Sequence, residues 1–233
     1  MNWVRSTLFN LLLPLWTALL GVLCLPLLLA PWWGAMWAIR QWGRGVAFLA
    51  RWVLGIRTRL IGRENLRPGC VIYAAKHQSA WETMALVPLL GSPAIVLKQE
   101  LMKLPFIGWY ATRARMIPVD RDGSTRAMRV MLRAADVARA ADRPVLIFPE
   151  GTRTPPGQQP PLLPGLTGLY RSLGVPVVPI ALDSGLLWGR ESFLKHPGTI
   201  TVVVHPAVAA ALPREHMAEQ VHRAINSLSG DSA

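Results

Sequence analysis

Thirty-four consecutive residues, Ser6 to Ile39, carry no charged side chain, and Arg5 and Arg40 bound them. About 20 apolar residues suffice to cross a bilayer as a helix, so this run is long enough for a membrane segment. A cleaved secretory signal would need a shorter apolar core and a small-residue cleavage site. Here the Leu-rich core runs from Leu8 to Leu29, and bulky Pro31, Trp32 and Trp33 follow it. The segment therefore reads as a retained membrane element, kinked at Pro14 and Pro26. A second stretch, Trp37 to Leu54, is amphipathic, with Arg40, Arg44 and Arg51 spaced near one helical face. It reads as a helix lying in the membrane interface. The prolines and the Arg-dotted second helix favour a shallow two-helix hairpin in one leaflet over a single span.

Charge and aromatic residues sharpen this reading. The chain carries a net charge of +12, and seven Arg precede the first acidic residue, Glu64. Seven of the ten Trp fall in the same N-terminal quarter. A basic balance of this size suggests nucleic acid, anionic lipid or an acidic substrate. Nucleic acid would explain the Arg but not the Leu and Trp, whereas a membrane interface explains all three. No nucleic-acid partner is expected. Two cysteines, Cys24 and Cys70, make neither a disulfide framework nor a zinc motif.

From about Arg57 apolar runs of strand length recur, at Thr58–Ile61, Val71–Ala75, Ala94–Leu97, Met116–Val119, Val145–Phe148, Val177–Leu182 and Ile200–Val204. Helix-like stretches separate several of them, at Ser79–Leu90, Ser124–Ala141, Gly165–Leu173 and Arg214–Leu228. Such alternation predicts an α/β domain with a mostly parallel central sheet flanked by helices. The expected organisation is an N-terminal membrane-anchoring segment over 1–56, one α/β domain over 57–228, and a frayed tail over 229–233. Prolines between 155 and 164 mark a long irregular loop, a feature often functional.

Two constellations could carry chemistry. His77 follows the second strand, and Glu82 lies five residues on, across the strand-to-helix turn. A neutral imidazole at a strand's carboxyl end can take a proton from an attacking hydroxyl. A carboxylate on its other nitrogen would fix the tautomer, as in a triad without its serine. The same residues fit a capping box, with Ser79 as N-cap and Glu82 at the third helical position. On residue types alone both readings stand. The second constellation is Phe148-Pro149-Glu150-Gly151-Thr152-Arg153, again at a strand end. Gly151 permits close backbone approach, Arg153 offers a fork suited to phosphate, and Glu150 could accept bonds from substrate hydroxyls. Lys98 and Arg121 are lone cations at two further strand ends. The chain has no G-x-x-x-x-G-K-[ST], G-x-G-x-x-G, H-E-x-x-H or G-x-S-x-G pattern, so nucleotide-driven, zinc-hydrolase and esterase chemistry lose support.

Together these pieces resemble the 1-acyl-sn-glycerol-3-phosphate acyltransferase family, the lysophosphatidic acid acyltransferases. Four blocks match in order: His77-Gln78-Ser79-x-x-Glu82; Lys98-x-Glu100-Leu101-x-x-x-Pro105-x-x-Gly108 running to Val119-Asp120-Arg121; Phe148 to Arg153; and Val175 to Ala181. Two departures stand out. The family usually carries Asp where Glu82 stands, and often a Lys where Leu163 and Pro164 stand.

The resemblance implies the glycerolipid acyltransferase fold and acyl transfer from acyl-CoA or acyl carrier protein to the sn-2 hydroxyl of lysophosphatidic acid, giving phosphatidic acid. It implies His77 as general base, Glu82 as its orienting partner, and Lys98, Arg121, Glu150, Gly151, Thr152 and Arg153 around the acceptor. No metal or redox cofactor is called for; the thioester is a co-substrate. The expected location is a bacterial inner membrane, with the catalytic residues facing the cytoplasm. Two alternatives are an acyltransferase for another lyso-lipid, such as lyso-ornithine lipid, and a non-catalytic membrane-anchored lipid-binding protein of the same fold.

Overall fold

The computed structural model describes residues 1–120 and 125–229. Arg121, expected near the acceptor, lies outside them, as do residues 230–233 of the expected tail. All seven expected strands form: β1 (Ile56–Ile61), β2 (Ile72–Ala75), β3 (Ala94–Lys98), β4 (Ile117–Val119), β5 (Val145–Ile147), β6 (Val177–Leu182) and β7 (Gly198–Val204). They join in one sheet of order β1-β7-β6-β2-β5-β3-β4. Every pairing between these seven strands is parallel except β6 with β7.

The central strands β2, β5 and β6 are buried at every position, because helices cover both faces and leave no side for polar residues. Side chains alternate between the faces. Ile72 and Ala74 of β2 face a cluster built with Met131, Ala135, Leu166, Leu169, Met217 and Val221. These come from α5 (Thr125–Ala140), α6 (Pro164–Leu173) and α7 (Arg214–Ile225). Tyr73 and Ala75 face the other cluster, with Phe9, Val46, Leu54, Trp81 and Leu86. That layer is α1 (Asn2–Leu23), α2 (Trp32–Leu49) with its continuation to Leu54, and α3 (Trp81–Leu89). A short helix, α4 (Ile107–Arg113), was not expected from the sequence. Its seven residues are too few to establish a helical period, and Pro105 and Gly108 read as a turn.

The apolar N-terminal run does not form one helix to Leu29. α1 passes through Pro14 and ends at Leu23, and a 3-10 turn, Leu25–Leu28, follows with Pro26 near its start. The chain then doubles back as α2. Trp16 Nε1 donates to the Trp42 carbonyl at 3.2 Å, and Trp42 Nε1 donates to Thr17 Oγ1 at 3.0 Å. Gly45 lets the helices meet, since a Cβ there would overlap the Trp16 ring.

α1 is inverted relative to an ordinary surface helix. Val4, Leu8, Leu11, Leu15, Leu19 and Val22 are exposed along one helical face, while Ser6 and Phe9 are buried against the rest of the protein. Trp33, Trp37, Phe48 and Trp52 extend the exposed apolar surface onto the second helical segment. A contiguous patch of this kind marks an interaction surface. Among the described residues α1 is the one helix long and apolar enough to cross a membrane.

The sheet-and-helix sandwich makes a direct prediction. Leu169 is fully buried on α6, so Leu169→Ala should lower unfolding free energy by about 2–5 kcal/mol. Val130→Ala, at an exposed position on α5, should stay within about 0.5 kcal/mol of wild type. Denaturant melts of the three proteins in one detergent check the contrast.

Candidate active site

The carboxyl ends of β2, β5, β3 and β4 share one edge of the sheet, and every site residue expected from the sequence that can be described sits along it. His77 lies just past β2. Its Nδ1 is 2.8 Å from Glu82 Oε1, and its ring stacks on Phe148 with centroids 4.3 Å apart. Two constraints thus hold the imidazole: one sets its rotation, the other its plane. Glu82 is fully buried. Its Oε1 also accepts the backbone N–H of Gln78 and of Ser79, each at 2.7 Å, and Ser184 Oγ donates to its Oε2 at 2.8 Å.

The capping and catalytic readings of Glu82 therefore coincide. The carboxylate folds back over the first turn, as a capping-box glutamate does, and in doing so it reaches the histidine. The expected box differs in one bond. α3 begins at Trp81, and the Ser79 hydroxyl accepts the Trp81 N–H at 3.1 Å rather than that of Glu82. With glutamate at this position, the longer arm spans the turn at ordinary hydrogen-bond length.

Glu150 differs from expectation. Its side chain is 1% exposed and turned inward. It pairs with the Lys76 ammonium at 2.9 Å, accepts the His77 N–H at 2.8 Å, and accepts the Thr154 hydroxyl at 2.5 Å. These donors engage both oxygens, so Glu150 ties β2 to the loop after β5. The physical reason is Lys76, which is also fully buried. A buried ammonium needs a carboxylate and further acceptors, and the Gln158 carbonyl and Asn226 Oδ1 complete its shell at 2.7 Å each.

Thr154 adds a second tie, with its N–H donating to the His77 carbonyl at 2.8 Å. This brings Arg153 beside the histidine segment. Arg153 is about one-third exposed and lies 3.9 Å from Glu191, a loose pair that leaves its guanidinium available to an anion. Thr152 is exposed. Gly151 adopts φ +69°, and a Cβ there would overlap Leu163, which folds back to bond Pro149. Only glycine meets both demands comfortably. Lys98 ends β3, two strands from β2, which places it roughly 10 Å across the sheet edge. It is half-exposed and pairs with Glu100 at 3.0 Å. An apolar cavity of about 230 Å³, lined in part by Val96, Met131, Phe148 and Leu163, opens beside Gly151.

Lys76, Thr154, Ser184 and Asn226 were not expected as site residues. Lys76 gave a usable signal: a lysine continuing a buried strand must find an acid. The partner Asn226 is 150 positions away and gave none.

The network predicts an asymmetry. Lys76→Met leaves the Glu150 carboxylate buried without its cation and should cost about 3–5 kcal/mol. Lys76→Met with Glu150→Gln should recover much of that loss, as read by denaturant unfolding of both variants.

Residues 57–183 match the family described as Acyltransferase. A 1-acyl-sn-glycerol-3-phosphate acyltransferase of Pseudomonas aeruginosa is 38% identical over 172 residues, covering 74% of this chain and 67% of that protein. A relative of the same description from Chlamydomonas reinhardtii is 31% identical, covering 73% of this chain and 52% of that protein. The crystal structure of the 1-acyl-sn-glycerophosphate (LPA) acyltransferase PlsC from Thermotoga maritima superposes with a TM-score of 0.75 over 100% of this chain and 98% of that one. At 20% identity that likeness speaks for the fold. Family match, relatives and fold agree with the four sequence blocks: the chain belongs to the acyltransferase family, among the 1-acyl-sn-glycerol-3-phosphate acyltransferases.

Proposed function

We propose that the protein transfers an acyl chain from a thioester, acyl-CoA or acyl carrier protein, to the sn-2 hydroxyl of 1-acyl-sn-glycerol-3-phosphate, giving phosphatidic acid. The observation that carries this reading is the 2.8 Å contact between His77 Nδ1 and the buried Glu82 carboxylate at a strand's carboxyl end. An ionised Glu82 keeps the imidazole proton on Nδ1, so Nε2 holds the lone pair. The acceptor hydroxyl attacks the thioester carbonyl carbon while Nε2 takes its proton. The tetrahedral intermediate then collapses, the C–S bond breaks, and the leaving thiolate takes the proton from the imidazolium. Ester and free thiol result, with no acyl-enzyme. Arg153, beside the histidine segment, and Lys98, farther along the edge, supply cations for the acceptor phosphate.

Leu163 supports keeping the acceptor panel broad. It packs an apolar group on Gly151, where the family resemblance suggests an anion-binding lysine. Purified protein is offered lysophosphatidic acid, lyso-ornithine lipid and monoacylglycerol with a panel of thioesters. Phosphatidic acid should be the main product. His77→Ala should slow its formation by about 10²–10⁴-fold, Glu82→Asp should retain activity, and Arg153→Lys should raise the lysophosphatidic acid KM by losing the planar fork. Near-normal turnover by His77→Ala would defeat the mechanism.

The exposed apolar face of α1 supports membrane attachment, and the way α1 is seated supports a hairpin. One end of α1 bonds the catalytic layer through Asn2 and Ser6, and the other through the Gly21 carbonyl, which accepts the Tyr110 hydroxyl at 2.9 Å. A helix bonded to the catalytic layer near both ends favours lying along that layer over leaving it to cross a bilayer. Both ends then face the cytoplasm, where thioester donors are made. Deleting residues 1–55 would strip Phe9, Val46 and Leu54 from the core, so the test uses the full chain. In a Cys24→Ala, Cys70→Ala background, Asn2→Cys should label from the cytoplasmic face of sealed vesicles. Labelling from the opposite face would establish a span.

A further inference from the structure

The segment after β6 touches Glu82 at one end and α1 at the other. At its start Ser184, fully buried, donates to Glu82 Oε2 at 2.8 Å, and the Gly185 N–H donates to Gln78 Oε1 at 3.0 Å. Asp183, just before, accepts the Thr201 N–H at 2.7 Å, which fixes the segment to β7. The chain then turns tightly, with the Trp188 N–H donating to the Ser184 carbonyl at 2.9 Å. Trp188 packs edge-on against Phe9 of α1, centroids 5.1 Å apart.

The return of the segment is held by polar residues at helical spacing on α1, namely Asn2, Ser6 and Asn10. Ser6 Oγ accepts the Lys195 N–H at 2.9 Å. The buried Lys195 ammonium donates to Asn10 Oδ1 at 2.9 Å and to the Phe193 carbonyl at 3.1 Å. Asn2 lies 3.3 Å from His196 Nδ1. This stripe gives a reason for the polar residues on the inner side of α1: they add side-chain partners to the backbone and cation of an irregular segment. It also joins the helix proposed to meet the membrane to the donor that Glu82 Oε2 uses.

We propose that Ser184 is a positioning residue for the His77–Glu82 pair and that the α1 clamp on residues 192–196 seats it. Glu82 Oε1 is fixed by two backbone N–H groups, so Ser184 sets the remaining freedom of the carboxylate, its twist about the last side-chain bond. That twist decides how squarely Oε1 meets His77 Nδ1. The inference rests on the proposed acyl transfer for its kinetic readout, and on the histidine tautomer for a readout free of it.

The variants are Ser184→Ala, Ser184→Cys, the pair Ser6→Ala with Asn10→Leu, and the combination of that pair with Ser184→Ala, each in the full chain. The α1 pair makes the helix more apolar, so a loss of activity cannot come from weaker membrane attachment. Ser184→Ala should lower kcat about tenfold or more, the order expected when a catalytic group loses its orientation, with donor and acceptor KM unchanged. Ser184→Cys, a weaker donor, should fall between alanine and wild type. The α1 pair should also lower kcat at constant KM. The combination should be no slower than Ser184→Ala alone, because changes along one path do not add.

Ring ¹⁵N shifts of histidine-labelled protein, taken without substrate, should show His77 as the Nδ1–H tautomer in wild type and a mixture in Ser184→Ala. Ser184→Ala within twofold of wild type in kcat, multiplying effects in the combination, or an unchanged tautomer would each overturn the proposal. If wild type acylates none of the acceptors, the acyl-transfer reading fails, and the tautomer comparison alone decides the role of Ser184.

Discussion

A single ammonium group with no access to water organises the catalytic edge. Burying Lys76 costs several kcal/mol before its partners are counted. The protein meets that cost with acceptors from three distant places: the Glu150 carboxylate after β5, the Gln158 carbonyl in the proline-rich loop, and Asn226 after α7. Each bond fixes a piece of chain that has no regular structure of its own. Glu150 then has an oxygen for the His77 N–H and another for the Thr154 hydroxyl. The backbone that carries the histidine is therefore held by a buried ion pair, while its side chain is held by a second carboxylate, Glu82. Ion pairs of this kind contribute little net stability, but breaking one by removing a partner is costly, so the pair holds this backbone in place.

The N-terminal helices follow a different pattern. In water, α1 would bury Leu8, Leu11 and Leu15 and expose Asn2, Ser6 and Asn10. Here the order is reversed for the leucines, which are exposed, and for Ser6, which is buried, while Asn2 and Asn10 are half-buried. The reversal is coherent when the outer face meets lipid, because the inner face must then supply the hydrogen bonds that lipid cannot. The same helix contributes Phe9 to the core beneath the sheet. The exposed apolar face and part of the core thus share one element, so α1 is not a detachable tail.

Much of this was legible in the residue order. Val71–Ala75 and Val177–Leu182 are apolar without alternation, and strands buried on both faces require that. His77 and Glu82 are near neighbours in sequence, so a strand-to-helix turn brings them together whatever the rest of the chain does. Gly151 announced a backbone position closed to a side chain. Where the reading fell short, the cause was distance along the chain or brevity. α4 is shorter than the span over which a helical period shows itself. The inward ties of Glu150 left no local sign because its partner, Lys76, lies 74 positions before it. Ser184 sits in an unremarkable run after the last matching block, and nothing local ties it to Glu82, 102 positions away.

The sequence by itself determined the alternating strands and helices, the apolar N-terminal run and the placing of Glu82 five residues after His77 across a strand-to-helix turn, because each depends on periodicity or on residues a few positions apart. Only the tertiary structure decided which carboxylate serves the histidine side chain and which serves its backbone, and which face of α1 turns outward. Those outcomes follow from burying polar groups that must find partners wherever the fold places them, and the chain order carries no record of which partners those are.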